Sequence, residues 1–240
     1  MDKNKIRFSF KKPTWKTILG VILFVSLLAS VVHIALRLAE VPVYTKDIEQ
    51  HVKADYMLSL VQCLLGIVVM FVPSFMEKRF SINIPNYMYV LYYIFLYCAV
   101  YLGEVQSFYF RIPNWDTYLH AFSGAMLGAL GFSVASMMNE EKRIPVQLSP
   151  GFLALFSFCF ALACGAIWEI YEYTVDAVLK LNMQKYMTES GEILSGRMAL
   201  KDTMEDMIVD AAGAFVMSLA GYISIKLKRP KKNDEQCEKE

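Results

Sequence analysis

Six apolar segments in the chain are each about as long as a bilayer is thick. The clearest of them runs through residues 151–167 without a single charged residue. A helix needs about 20 predominantly apolar residues to cross the hydrocarbon core, and helical hydrogen bonding satisfies the backbone groups that lipid cannot. Apolar residues make up 56% of the 240 residues, and charges are confined to short blocks between the apolar runs. The pattern therefore predicts an all-α, polytopic membrane protein.

We expect a six-transmembrane-helix bundle with polar connections. The predicted spans are residues 17–36, 56–75, 87–103, 116–138, 151–178 and 202–225. The first span holds about 20 apolar residues and is followed by Arg37, which favours an uncleaved helix over a signal peptide. A basic segment, residues 1–16, precedes it. The charged tail, residues 226–240, has few apolar residues to bury, which predicts disorder.

Lysine and arginine are distributed asymmetrically among the connections. Six spans place both termini on the same side of the membrane, together with two of the loops. Of the 24 lysines and arginines, 16 lie on that side and 8 on the other. By the positive-inside rule, both termini are predicted to be cytoplasmic.

Acidic residues at helical spacing stand at one end of three spans. Spacings of three, four and seven residues place each set on one helix face. In the predicted topology all three sets reach the outward-facing leaflet, and ionisable residues within spans mark candidate functional sites. The sets are Asp116 with His120 in the fourth span, Glu169, Glu172, Tyr173 and Asp176 in the fifth, and Asp202, Asp206 and Asp210 in the sixth.

This many carboxylates in a partly dry site must take up protons, pair with bases or bind a cation. Carboxylate oxygens with one imidazole suit Mg²⁺, Mn²⁺, iron or Zn²⁺, and the number of acids would allow two ions. The expected metal ligands are Asp116, His120, Glu169, Glu172, Asp202, Asp206 and Asp210. The candidate bases, all in predicted loops, are Arg111, Lys180, Arg197 and Lys201. A simpler interpretation, in which acids only mark where a helix leaves the membrane, applies best to Asp116, Asp176, Asp202 and Glu205.

Two further features concern packing around this end. Gly124 and Gly128 form a small-xxx-small pair in the fourth span, and such a face lets another helix approach closely. The long loop 180–201 joins two of the acid-bearing helix ends and contains several apolar residues. We expect it to fold over the site.

The acidic segments resemble a known family of proteins. The segments that carry the resemblance are Asp116-x-x-x-His120, Glu169-x-x-Glu172 and Asp202-Thr203-x-x-Asp206-x-x-x-Asp210-x-x-Gly213. They look like the YjdF-like family of bacterial inner-membrane proteins, catalogued as a domain of unknown function, and are distantly similar to VanZ-like membrane proteins. The resemblance covers roughly residues 15–225. It implies a multi-span fold in a bacterial cytoplasmic membrane and brings no established reaction.

The leading hypothesis from the sequence is a metal-dependent hydrolase or transferase that acts on an envelope or lipid-linked substrate. A metal would polarise the reacting bond, and Glu169, His120 or Asp206 would serve as the base. The alternatives are a cation- or proton-coupled transporter and a non-catalytic membrane scaffold. A site is favoured over a pathway because the other halves of the last three spans hold few polar groups, chiefly Ser133, Ser136, Ser157 and Ser218. The basic ends lack the interleaved aromatics of a nucleic-acid surface, so no nucleic-acid partner is expected.

Overall fold

The computed structural model describes residues 14–40, 46–81, 83–140, 147–188 and 192–228, and its long elements are all helices. The α-helices are α1 (Trp15–Glu40), α2 (Lys46–Val69), α3 (Val72–Phe80), α4 (Asn86–Leu96), α5 (Phe108–Arg111), α6 (Trp115–Glu140), α7 (Pro150–Leu179) and α8 (Lys201–Lys228). A π-helical segment, Tyr97–Val105, follows α4, and a short 3₁₀ turn, Gly196–Met198, precedes α8. Within these ranges, extended pairing is limited to one isolated bridge between Met187 and Ile193.

Six helical stretches are long and apolar enough to cross a membrane. They are Trp15–Glu40, Tyr56–Phe80, Asn86–Val105, Trp115–Asn139, Pro150–Leu179 and Lys201–Leu227. The predicted all-α architecture with six spans is therefore confirmed, and each predicted span lies within one of these stretches. The orientation of the termini stays a prediction.

The ends of the chain are only partly covered by the structure. Residues 1–13 of the basic segment and residues 229–240 of the tail lie outside the described residues. Residues 226–228 were predicted to belong to a disordered tail, but they extend α8 by nearly one turn. The helix continues there because Leu227 and its neighbours carry no breaker.

Two spans are less regular than the apolar pattern predicted. The second is interrupted by a turn at Met70 and Phe71, after which α3 begins with a proline in its first turn. The third changes from α-helix to π-helix at Tyr97. Hydropathy is an average over many residues, so it does not register a break of this length.

The helices form two packed groups. In the first, α1, α2, α4 and the π-helical segment surround a core that includes Leu23, Leu27, Cys63 and Tyr89. In the second, α6, α7 and α8 pack on one another in all three combinations. This second group carries the predicted acids.

The closest helix crossing joins α6 to α8 through glycine. A Cβ atom on Gly124 would lie 2.8 Å from the Asp210 Cα atom and closer still to the Asp210 carbonyl oxygen. A Cβ on Gly128 would lie 3.1 Å from the Ala214 Cα atom, and one on Gly213 would lie 2.6 Å from the Ala121 carbonyl oxygen. The predicted small-residue face is thus confirmed. The close contact at Gly124 brings Asp210 of α8 next to the part of α6 that carries His120.

Candidate metal centre

Three helix ends meet at one end of the α6–α7–α8 bundle. The start of α6, the end of α7 and the start of α8 come together there, and these are the segments that hold the predicted acids. Six of the side chains have at most 6% of their surface exposed: His120, Glu169, Glu172, Asp176, Asp206 and Asp210. Asp116 and Asp202 are more open, at 17% and 20%. Burial this deep is not expected of acids that only mark a helix exit.

His120 lies between three carboxylates contributed by two helices. Its Nδ1 atom is 3.1 Å from Asp210 Oδ2, while its Nε2 atom is 3.7 Å from Asp116 Oδ1 and 4.0 Å from Asp206 Oδ2. The contact with Asp116 follows from their spacing of one helical turn on α6. The Nδ1 atom is therefore within hydrogen-bonding distance of one carboxylate, while the Nε2 atom faces two carboxylates at longer distances.

Asp210 is fixed from several directions. Its Oδ1 atom accepts a hydrogen bond of 3.1 Å from the Ser123 hydroxyl on α6, while Oδ2 contacts His120. A Cβ on Gly165 of α7 would lie 2.5 Å from Asp210 Oδ2, so the absence of a side chain at position 165 makes room for this carboxylate. A carboxylate that accepts from one imidazole nitrogen sets the tautomer and leaves the other nitrogen available as a ligand.

The available nitrogen of His120 faces a set of donor atoms suited to one metal ion. One ligand atom each from Asp116, His120 and Asp206 lies within 4.8 Å of the other two. Ligands that share an ion at bond lengths near 2.1 Å are about 3–3.5 Å from one another, so a closing of roughly 1 Å would complete the set. Two carboxylates with one imidazole are hard to borderline donors, which suit Mn²⁺, iron or Zn²⁺. The residues therefore fit a divalent metal.

Glu169 is buried beside this donor group, and its carboxylate lacks well-formed hydrogen bonds. Among the residues that the structure describes, neither of its oxygens makes a hydrogen bond of good geometry, although the side chain is only 5% exposed. The Thr203 hydroxyl and the Gln184 amide lie close enough to act on it through longer contacts. It is close enough to His120 and Asp202 to interact with both electrostatically. A buried carboxylate held only by longer contacts is costly to keep ionised, so a proton, a cation or a substrate group would stabilise it at this position.

Lys185 is a cation at this site that no sequence pattern indicated. Its Nζ atom donates to Asp116 Oδ2 and to Asp202 Oδ1, at 2.7 Å in each case. Burial lowers the pKa of Lys185, but the two carboxylates outweigh it and hold the pKa above its ordinary value. Of the bases expected instead, Lys201 pairs with Glu205 at 3.7 Å, away from the buried acids. Loop residues have no periodicity, so spacing could not single out Lys185 from the other basic residues of the loop.

The loop that carries Lys185 is held against the acidic end, as predicted. Asp176 accepts hydrogen bonds from the backbone N–H groups of Met183 and Gln184, at 2.8 and 3.0 Å. The Gln184 amide donates to the Thr203 hydroxyl at 3.0 Å. Asp176 thus anchors the loop. The apolar loop residues contribute less than expected, since Ile193, Met198 and Leu200 are exposed.

The acidic stripe on α7 is narrower than its spacing indicated. Glu172 accepts a hydrogen bond of 2.9 Å from the Trp168 indole and lies outside the three-residue donor group. Tyr173 is 66% exposed and points away from the acids. Residues at i, i+3, i+4 and i+7 together spread over about 100° of the helix circumference, so one edge of a predicted stripe can face lipid.

The seven predicted ligands therefore separate into distinct environments. Asp116, His120 and Asp206 form the donor group, and Asp210 contacts the opposite nitrogen of His120. Asp202 pairs with Lys185, Glu172 pairs with Trp168, and Glu169 is buried nearby without a hydrogen bond of good geometry. Ser123, Gly165 and Lys185 complete the site, although no sequence pattern indicated them.

Comparison with known proteins gives one family. Residues 21–227 match the family described as "Predicted membrane protein (DUF2238)". A relative from Thermotoga maritima, described as "Uncharacterized protein", is 26% identical over 152 residues, which cover 63% of this chain and 70% of the relative. No solved structure is significantly similar to the chain.

The family match agrees with the resemblance that the acidic segments suggested, while the similarity to VanZ-like proteins is not confirmed. The matched range runs from within α1 to the last residues of α8 and contains the whole candidate metal centre. The chain therefore belongs to the DUF2238 family of membrane proteins.

Proposed function

We propose that this protein is a metal-dependent hydrolase or transferase of a bacterial cytoplasmic membrane, acting on a lipid-linked or envelope substrate at the outward-facing surface. One divalent ion would be held by Asp116, His120 and Asp206. The observation that carries the proposal is the buried Glu169 carboxylate, which makes no hydrogen bond of good geometry, beside a group of three potential ligands. A ligand set with an adjacent free base is what metal-assisted hydrolysis requires.

The charge of the site supports a bound cation. Six carboxylates lie at this end in addition to Asp176, which anchors the loop. Among the described residues, the basic side chains in contact with them are those of Lys185 and His120. Unpaired buried carboxylates repel one another and are costly to ionise. A divalent ion would offset two of these charges at the point where three ligands converge.

The division of roles follows from the contacts of each residue. His120 and Asp206 would be occupied as ligands, which leaves Glu169 as the base. The metal would polarise the reacting bond and lower the pKa of a bound water. Glu169 would take the proton of the attacking water, or of an acceptor alcohol in a transferase. The attacking oxygen forms its bond to the phosphorus or acyl carbon as the leaving oxygen departs with the bonding electrons, and Glu169 then returns the proton to that oxygen.

Contacts at the other end of the bundle favour a site over a transport pathway. The Ser157 hydroxyl bonds to the Gly128 carbonyl and lies 2.9 Å from the Ser218 hydroxyl, so these buried groups satisfy one another across three helices. The Ser133 hydroxyl bonds to the Ala129 carbonyl of its own helix. A pathway needs polar groups that remain available to a passing ion, and of the four serines at this end only Ser136 has a buried hydroxyl without a partner among the described residues.

The outward orientation can be tested by thiol labelling. A cysteine placed at Ser190 should react with a membrane-impermeant maleimide applied to intact cells, while Cys237 should react only after the cells are opened. The expectation rests on the 16 basic residues predicted for the cytoplasmic side against 8 for the other. The opposite labelling pattern would place the acids at the cytoplasmic face and contradict an envelope substrate.

Glu169→Gln separates metal binding from catalysis. The variant keeps the shape of the side chain but removes the base, so we expect a metal content equal to that of the parent and at least a 100-fold lower turnover. The assay is release of phosphate-containing headgroups and fatty acids from vesicles of phosphatidylethanolamine and phosphatidylglycerol, in the presence of Mn²⁺ or Zn²⁺.

Glu205→Gln is the matched control, since Glu205 is 58% exposed and pairs with Lys201. It should leave both metal content and turnover unchanged. Equal turnover by parent and Glu169→Gln would contradict the role of Glu169. A metal-loaded parent with no turnover of either lipid would contradict hydrolysis of membrane phospholipids and favour the transporter.

A further inference from the structure

Lys185 and the donor group share one carboxylate. Asp116 presents Oδ2 to the Lys185 ammonium at 2.7 Å and Oδ1 to His120 Nε2 at 3.7 Å. The same ammonium contacts Asp202 Oδ1, also at 2.7 Å. Asp116 thus lies between two cation positions, the one defined by Asp116, His120 and Asp206 and the one filled by Lys185.

Carboxylate-rich centres with two metal ions commonly place the ions about 3.5–4 Å apart. In this protein, a tethered ammonium contacts Asp202 and the oxygen of Asp116 that does not contact His120. We propose that Lys185 occupies the second cation position of the centre, so that the native protein holds one metal ion, and that removing the ammonium creates a second divalent site bounded by Asp116 and Asp202. The inference rests on the metal site proposed above. It differs from the expectation, based on the number of acids, that the native centre could hold two ions.

The backbone holds Lys185 in this place through contacts that involve no metal. The N–H groups of the two preceding residues are both bonded to Asp176. Asn182 accepts from the Met187 N–H at 2.9 Å and donates to the Met187 carbonyl at 2.8 Å, which closes the loop around Lys185. Lys185 itself has a φ of +49°, a left-handed conformation that non-glycine residues rarely adopt without surrounding restraints. The backbone at Lys185 is therefore held in place, and its half-exposed side chain reaches both carboxylates from there.

Loss of the ammonium would leave two carboxylates facing each other across the space it occupied. Asp116 and Asp202 both retain partial access to solvent, at 17% and 20% exposed, so an ion can reach them. A divalent ion is the compact replacement, because it binds carboxylate oxygens directly. In the parent protein, the same ion would have to displace the Lys185 ammonium, which is part of the chain and cannot diffuse away.

The inference predicts metal stoichiometry. Purified parent, Lys185→Met and Lys201→Met proteins are equilibrated with Mn²⁺, freed of excess ion, and analysed for manganese content and by electron paramagnetic resonance. We expect one ion per chain in the parent, two in Lys185→Met with a spectrum broadened by coupling between neighbouring ions, and one in Lys201→Met. Lys201 is the matched control because its partner Glu205 is exposed and outside the centre.

The outcomes separate this inference from the proposed function. A parent without bound manganese would overturn the metal site and the inference together. One ion in both the parent and Lys185→Met, or two ions in the parent, would overturn the inference and leave the metal site intact. Lys185→Gln replaces Lys185→Met if the methionine variant does not fold. Lys185→Arg keeps the charge and should keep one ion, so a second ion in that variant would also overturn the inference.

Discussion

Asp206→Asn should abolish the response of the protein to divalent metal ions. In the parent, chelation should lower the melting temperature in detergent, and one divalent ion should restore it better than others. A ligand that binds only the folded state stabilises it by about 2.7 kcal/mol at a hundredfold excess over its dissociation constant. Asp206 is 3% exposed and belongs to the three-ligand group, so its amide should remove that increment. Without metal, the variant should be at least as stable as the parent, because one of several repelling carboxylates is gone.

The opposing interpretation gives a different pattern for the same variant. If His120 is an imidazolium paired with Asp116, Asp206 and Asp210, no metal is needed. Chelation would then have no effect, and Asp206→Asn would destabilise the protein in every buffer. Glu205→Gln is the matched control and should respond to metal as the parent does. A parent indifferent to chelator, together with a destabilised Asp206→Asn, would contradict the metal centre.

Gly124→Ala should disrupt the crossing of α6 and α8. The added methyl group would lie 2.8 Å from the Asp210 Cα atom, which is closer than van der Waals contact allows. The backbone there cannot move aside as a flexible side chain can. Overpacking of this kind costs about 1–3 kcal/mol. The helices can relieve it only by separating, which would also draw Asp210 away from His120. We therefore expect a lower melting temperature and a weaker affinity for metal in the same variant.

Gly151→Ala serves as the control for Gly124→Ala. Gly151 is exposed in the first turn of α7, and the nearest atom to its Cβ position, Ser149 Oγ, is 4.0 Å away. The substitution should change stability by less than about 0.5 kcal/mol. Equal melting temperatures for the two variants would contradict the close crossing.

The architecture followed from the sequence because bilayer thickness imposes a length on every span. Runs of apolar residues identified all six helical stretches, and Gly124 and Gly128 indicated the close crossing. The turn at Met70 and the π-helical segment were missed because hydropathy responds to composition over many residues. Pro73 was the local signal for the first of these breaks.

The site was predictable as a location and much less as a set of contacts. Acids inside apolar segments identified the three helix ends, since the membrane makes such residues rare. Contacts between helices depend on the rotation of each helix about its axis, which explains why Tyr173 faces outward. Glu172 instead pairs with Trp168, one turn earlier on the same helix. Lys185 depends on the path of an irregular loop, and Gly165 matters only because Asp210 lies opposite it.

The anchoring of the loop by Asp176 has a consequence for biogenesis. When α7 leaves the translocation machinery alone, its last turns carry Glu169, Glu172 and Asp176 into an apolar environment, and a charge deep in a span opposes insertion by about 2.5–3.5 kcal/mol. The next residues of the chain supply two backbone donors to Asp176, and Lys185 then pairs with Asp202 at the start of α8. We therefore expect α7, the loop and α8 to integrate as one helical hairpin, in which the compensating groups arrive with the acids during synthesis.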